Sequence, residues 1–229
     1  MIKAVFFDLG HTLTKEVNVS KKIEVLLKPH DLDWEKFYLH WRNFYFLRSV
    51  GKIANDKEMF LLLEKILGRR NIPFRKIRDI IIFESHIIPK ENIKIIKELK
   101  KEYKVGLITN FVHEWIKKVF KAEGIDNLFD ILIISSKTGV RKPTAEVFYI
   151  ALKSFLIKPN EAVFVSDNLR GDLIYAKGCG IKTIWLDKGI KNKWKKKERE
   201  IAKLFQPDAI VKNLTEIISI IKNWESHEN

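Results

Sequence analysis

The start of the chain constrains the fold most, because a short apolar run there ends at a single carboxylate. Val5, Phe6 and Phe7 are β-branched or aromatic, which is typical of a central strand buried on both faces. Asp8 follows directly, and Gly10 indicates a turn. Ligands of open parallel α/β sheets bind beyond the carboxyl ends of the strands, so Asp8 is a candidate functional residue. An isolated Asp is more often a turn or capping residue, so this assignment depends on the later strands.

Residues 14–88 show helical periodicity and no β-alternation. Proline and glycine breaks divide this stretch into several helices, and Ser20 and Asp33 stand where helix N-caps are expected. We therefore predict an inserted helical domain over 14–88.

From residue 89 onward, predicted helices and strands alternate. Repeated βα units imply a parallel sheet with helices on both faces. The predicted fold is α/β, with a Rossmann-like, doubly wound parallel sheet formed by residues 1–13 and 89–229. The helical domain is inserted after the first strand.

The later predicted strands also end in polar side chains, namely Thr109 and Asn110, then Asp167 and Asn168, with Asp172 five residues after Asp167. Lys142 precedes Pro143 at a predicted helix start. These ends converge on one crevice in a doubly wound sheet. Carboxylates are hard oxygen ligands that suit Mg²⁺, and a lysine with a hydroxyl can hold phosphate oxygens. The pattern predicts a magnesium and phosphate site.

Four segments in order resemble the motifs of the haloacid dehalogenase-like (HAD) hydrolases: Asp8-Leu9-Gly10-His11-Thr12-Leu13, Thr109, Lys142-Pro143, and Ser166-Asp167-Asn168 with Asp172. The resemblance extends over the whole chain, and residues 14–88 lie where this superfamily carries its helical C1-type cap. It implies a phosphatase that acts on a small phosphorylated metabolite.

The resemblance also implies roles for these residues. Asp8 would attack phosphorus and form an aspartyl-phosphate. Mg²⁺ would be held by Asp8, Asp167 and the carbonyl of Gly10. Thr109, Asn110 and Lys142 would bind the phosphate. Asn168 would support the site, and Asp172 would either orient this network or cap its helix.

Gly10 differs from the usual pattern, in which a second Asp at this position protonates the leaving oxygen. Glycine has no proton to transfer, and general acid–base help is worth about 10²–10⁴-fold. One interpretation is a phosphatase with another acid, for which His11 is the candidate because imidazole titrates near neutrality. A second is a 2-haloacid dehalogenase, in which halide leaves without a proton. A third is a phosphate-sensing or partner-binding protein of the same fold.

Aromatic residues recur at helical spacing in the predicted cap, at Trp34, Phe37, Tyr38, Trp41 and Tyr45. Such a stripe is typical of the core of a helical domain. Some of these rings could also cover the crevice. His40, Arg42 or Arg48 could then select an anionic substrate.

Composition limits the remaining classes of protein. The net charge is +14, but most lysines are interleaved with glutamates, and only Lys188–Lys197 forms a dense run. This pattern is typical of a solvated, heat-adapted surface, and we do not expect nucleic-acid binding. No apolar run is long enough for a membrane span. A single cysteine suits a reducing cytoplasm. The sequence leaves the oligomeric state open.

Overall fold

A computed structural model describes residues 1–15, 17–189 and 193–226, without the side chains of 193–195. Its sheet has six parallel strands in the order β3-β2-β1-β4-β5-β6. The strands are β1 Ala4–Phe7, β2 Lys104–Thr109, β3 Ile131–Ile134, β4 Ala162–Ser166, β5 Lys182–Leu186 and β6 Ala209–Val211. The predicted Rossmann-like, doubly wound sheet is confirmed.

In the described part of the chain, four α-helices lie between β1 and the helix that leads into β2. These inserted helices are α1 Ser20–Leu27, α2 Trp34–Ser49, α3 Asp56–Leu67 and α4 Phe74–Ser85. Asp33 caps α2 as predicted, since its side chain accepts a hydrogen bond from the Lys36 amide. The prediction for Ser20 was wrong, because Asn18 accepts from the amide and hydroxyl of Ser20, which is already the first residue of α1.

The remaining helices alternate with the strands. They are α5 Lys90–Leu99, α6 His113–Ala122, α7 Ser135–Thr138, α8 Ala145–Phe155, α9 Ile174–Gly178, α10 Lys193–Ala202 and α11 Ile217–Ser226. Ser135 begins the short α7, directly after the last residue of β3. The predicted Lys188–Lys197 run lies partly outside the described residues. No helix in the described ranges is both long and apolar enough to cross a bilayer.

The buried core covers both faces of the sheet, because successive side chains of a strand point to opposite faces. Val5 and Phe7 of β1 join a cluster that extends into α5, α6, α11 and the inserted helices. Ala4 and Phe6 join a second cluster with α8 and α9. β1 is therefore buried on both faces, which fixes the position of the residue that follows it.

Gly106 in β2 makes room for the ring of Phe6 in the neighbouring strand. A Cβ atom at Gly106 would lie 2.7 Å from Cε1 of Phe6 and 3.0 Å from a methyl group of Ile131. Close packing at the centre of the sheet therefore requires glycine at this position.

We expect Gly106→Ala to lower the free energy of unfolding by about 1–3 kcal/mol, because the added methyl group overpacks the core. The matched control is Gly178→Ala in α9, where an added Cβ meets nothing within 4 Å. The control should be neutral or slightly stabilising. Urea unfolding of both variants measures the difference, and equal stabilities would contradict this account of β2.

Candidate active site

The carboxyl ends of β1, β2 and β4 open into one cavity of about 830 Å³. β1 lies between β2 and β4 in the sheet. The strand order reverses at this point, so the connections after neighbouring strands run in opposite directions and leave a crevice beyond Phe7. The predicted site residues that line the cavity are Asp8, Gly10, His11, Thr109, Asn110, Lys142, Asp167, Asn168 and Asp172. The structure thus brings all nine predicted site residues together at one cavity.

A buried lysine joins two carboxylates at the floor of this cavity. The Lys142 ammonium lies 2.5 Å from Oδ1 of Asp8 and 2.6 Å from Oδ2 of Asp172. The same Asp172 oxygen accepts a hydrogen bond from the Ser166 hydroxyl at 2.8 Å. Asn168, rather than Asp172, caps the helical turn Leu169–Leu173 by accepting from the Gly171 amide. Of the two roles expected for Asp172, its contacts favour support of the Lys142 network.

Thr12 connects the two carboxylates expected at the metal site. Its hydroxyl lies 3.2 Å from Oδ2 of Asp8 and 3.2 Å from Oδ1 of Asp167, and it accepts from the Asp167 amide at 3.0 Å. A hydroxyl has one proton, so it donates to only one carboxylate at a time. The two acidic oxygens are therefore close neighbours across the loops after β1 and β4.

The site carries more negative than positive charge around the nucleophile candidate. The pKa of Asp8 is raised to about 7, chiefly by burial; the Lys142 ammonium opposes this shift, and the Asp172 and Asp167 carboxylates contribute to it. The Lys142 ammonium contacts Asp8 and Asp172, and Asp167 adds a third carboxylate near Asp8, so a bound cation would offset the excess negative charge.

The residues present fit a magnesium ion. Asp8 and Asp167 would supply carboxylate oxygens, and Gly10, which also lines the cavity, would supply its backbone carbonyl. Within the described ranges, no three His, Cys, Asp or Glu side chains form a ready metal cluster. A cation here would depend on few protein ligands and on water, which is how Mg²⁺ is commonly bound.

Asn110 fixes the backbone of Lys142. Its amide nitrogen donates to the Lys142 carbonyl and its amide oxygen accepts from the Lys142 amide, both at 2.9 Å. The phosphate contact predicted for Asn110 therefore depends on its second amide hydrogen. Thr109 is buried at the end of β2 and lines the cavity.

His11 has an exposed side chain on a strained backbone. Its φ of 57° lies in the left-handed region, which is unfavourable for residues other than glycine. The carbonyl of His11 accepts a hydrogen bond from Lys188 at 2.5 Å, and its amide donates to the Thr14 hydroxyl at 3.2 Å. These contacts hold the turn, and the imidazole lines the cavity beside Gly10.

Among the other residues that line this cavity, sequence reasoning missed His86, Lys188 and Glu198. Glu198 accepts from the amides of Leu169 and Arg170 and so supports the turn after Asp167. No sequence motif marks these positions, since they come from the inserted helices and from the chain after β5.

His86 follows α4 and packs against Phe111 with ring centroids 4.3 Å apart. The pKa of His86 is lowered to about 4, chiefly by burial; the Ile81 carbonyl opposes this shift, and nearby His11 contributes to it. His86 is therefore neutral at physiological pH. Its Nδ1 lies 3.3 Å from the Ile81 carbonyl, which identifies Nδ1 as the protonated nitrogen.

The aromatic stripe of α2 serves both functions expected of it. Phe37 is fully buried in the core of the inserted helices, whereas Tyr45 lines the cavity and donates to the Asn110 carbonyl at 3.0 Å. The expectation that Arg48 selects substrate was wrong. Arg48 is buried and pairs with Glu114 of α6 at 2.9 Å.

We expect His11→Gly to raise the free energy of unfolding by about 1 kcal/mol, because glycine adopts the left-handed conformation without strain. His11→Ala should give no such gain, since alanine has the same backbone restriction. Chemical unfolding of the two variants tests this. Equal stability of the Gly and Ala variants would contradict the strained turn.

Comparison with known proteins gives the family. Residues 2–180 match the model of the haloacid dehalogenase-like hydrolases. A glyceraldehyde 3-phosphate phosphatase from Pyrococcus furiosus is 28% identical, over 96% of this chain and 93% of that protein.

Two solved structures share the fold. A 2-haloacid dehalogenase from Pseudomonas syringae superposes with a TM-score of 0.71 at 20% identity, over 98% of this chain and all of that chain. A HAD family enzyme from Bacteroides thetaiotaomicron, in complex with magnesium and inorganic phosphate, superposes with a TM-score of 0.68 at 20% identity. The match covers 84% of this chain and 98% of that chain. With its motif residues gathered in one cavity and most of its length matched by the family model, the chain belongs to the haloacid dehalogenase-like hydrolases.

Proposed function

We propose that this hydrolase is a cytoplasmic, magnesium-dependent phosphomonoesterase that acts on a small phosphorylated metabolite through an aspartyl-phosphate on Asp8. The observation that carries the proposal is the position of Asp8 on the cavity floor, 2.5 Å from the buried Lys142 ammonium and linked to Asp167 through Thr12. The phosphatase relative from Pyrococcus furiosus and the magnesium and phosphate in the Bacteroides neighbour support the same chemistry.

In the proposed reaction, an Asp8 oxygen attacks phosphorus and the bond from phosphorus to the leaving oxygen breaks. Lys142 and Thr109 hold the transferring oxygens, while Asn110 keeps the Lys142 backbone in place. Water then attacks phosphorus, which releases inorganic phosphate and regenerates the Asp8 carboxylate. Mg²⁺ held by Asp8, Asp167 and the Gly10 carbonyl would supply the positive charge that lets two anions approach each other.

We propose the division of the chain that such a mechanism needs. Residues 1–13 and 89–229 form the catalytic core, and residues 14–88 form a C1-type cap. The cavity supports this division, since Tyr45 and His86 of the cap face Asp8 and Lys142 of the core.

Removal of the metal tests the proposed reaction. We expect 4-nitrophenyl phosphate to be hydrolysed with Mg²⁺ and not after chelation with EDTA, and Asp8→Asn to be inactive. Activity that persists through chelation would contradict the magnesium scheme. Release of chloride from 2-chloropropionate would instead support the dehalogenase interpretation, which Gly10 leaves open. Binding of phosphate without turnover of any ester would support the non-catalytic interpretation.

We propose that His11 gives the leaving oxygen its proton, because its imidazole lines the cavity beside Gly10. His11→Asn keeps a residue that tolerates the left-handed backbone and removes the transferable proton. We expect this variant to lower kcat/KM for an alkyl phosphate by about 10²-fold or more. Hydrolysis of 4-nitrophenyl phosphate should fall much less, because nitrophenolate leaves without a proton. An equal loss for both esters would exclude His11 as the acid.

A further inference from the structure

A second cavity, of about 580 Å³, adjoins the active-site cavity beneath the inserted helices. The two cavities share six lining residues: Gly10, His11, Lys15, Tyr45, His86 and Phe111. A molecule bound at Asp8 can therefore extend into the second cavity and stay in contact with the protein along its length. The part of the substrate that reaches it is the leaving group, since the phosphate is held at the strand ends.

One face of α2 gives this cavity an aromatic wall. Trp34, Tyr38, Trp41 and Tyr45 all line it, and their spacing of three to four residues places them along a single helix face. The rings of Trp34 and Tyr38 stack with centroids 4.9 Å apart. The stripe is therefore more than core packing, because one edge of it is directed into open volume.

The aromatic wall continues into the active site. Tyr45 lies 6.1 Å from Phe111, which in turn packs on His86 at 4.3 Å, ring centroid to ring centroid. All three rings line both cavities. Flat π-surfaces thus extend from Trp34 to the neighbourhood of the reacting atoms.

We propose that this second cavity is a leaving-group subsite for a planar ring, and that the preferred substrates are phosphomonoesters of alcohols that carry an aromatic or heteroaromatic group. The inference rests on the proposed phosphatase function. A three-carbon leaving group such as glyceraldehyde would leave most of the second cavity and its aromatic wall without contacts. A ring placed between Tyr38 and Phe111 gains offset or edge contacts with several π-faces at once.

Esters of primary alcohols test this subsite without changing the chemistry of the leaving oxygen. We compare 3-phenylpropyl, 3-cyclohexylpropyl and propyl phosphate, whose alkoxides have similar basicity. For the wild-type enzyme, kcat/KM of the phenylpropyl ester should exceed that of the propyl ester by about tenfold or more. The cyclohexyl ester should fall between them, because it is apolar but not planar.

Variants of the aromatic wall connect this preference to the cavity. In Tyr38→Leu and in Trp34→Leu, we expect the phenylpropyl ester to lose its advantage. Its kcat/KM relative to the propyl ester should fall close to the value for the cyclohexylpropyl ester relative to the propyl ester. Tyr38 is already 43% exposed, so its replacement does not disturb the core. The matched control is Tyr149→Leu, an exposed tyrosine of α8 outside both cavities, which should keep the wild-type ratio.

The subsite proposal would be overturned if the wild-type enzyme hydrolysed the phenylpropyl and propyl esters with equal kcat/KM, or if Tyr38→Leu left the ratio of these two values unchanged. Either result would leave the phosphatase function intact. Failure to hydrolyse any of the three esters would instead overturn the proposed function. In that case calorimetry with Asp8→Asn still tests the subsite, because it compares binding of the phenylpropyl and propyl esters without turnover. Equal affinities would then exclude the aromatic subsite as well.

Discussion

The site depends on one buried ammonium group, that of Lys142. Moving a charge from water into the interior is costly, so Lys142 is stable there only because Asp8 and Asp172 lie within hydrogen-bonding distance. Removing one partner of such a buried pair typically costs about 3–5 kcal/mol. The contact connects the end of β1, the segment before α8 and the turn after β4. Asn110 connects the end of β2 to this network, because its side chain hydrogen-bonds to the backbone of Lys142.

Several contacts between the inserted helices and the core involve α6, the helix after β2. Trp115 of α6 stacks on Trp41 and Tyr45 of α2, and its indole N–H donates to Asp56 of α3 at 2.8 Å. Buried Arg48 pairs with Glu114 at the same boundary. These contacts hold the aromatic face of α2 against the loop that carries Asn110. The wall of the second cavity is therefore positioned by the same helix that begins just after Asn110.

The strand-end residues could be predicted because parallel topology brings the carboxyl ends of strands to one edge, and the apolar runs before Asp8 and Thr109 are unmistakable. Spacing alone could not tell whether Asp172 capped a helix or paired with Lys142, since that depends on a residue 30 positions away. His86 and Glu198 lie outside any motif and reach the cavity only through the packing of α4 and α10. Arg48 was misassigned because periodicity does not show which helix face meets the core.

The most direct test of covalent catalysis at Asp8 is the steric course at phosphorus. It is measured with a phosphorothioate monoester made chiral by two oxygen isotopes and hydrolysed in water that carries the third isotope, so that the released thiophosphate is chiral. Attack by Asp8 followed by attack of water consists of two in-line displacements, each of which inverts phosphorus. We therefore predict inorganic thiophosphate with overall retention of configuration. Inversion would mean that water attacks the substrate directly, and it would contradict an aspartyl-phosphate on this chain.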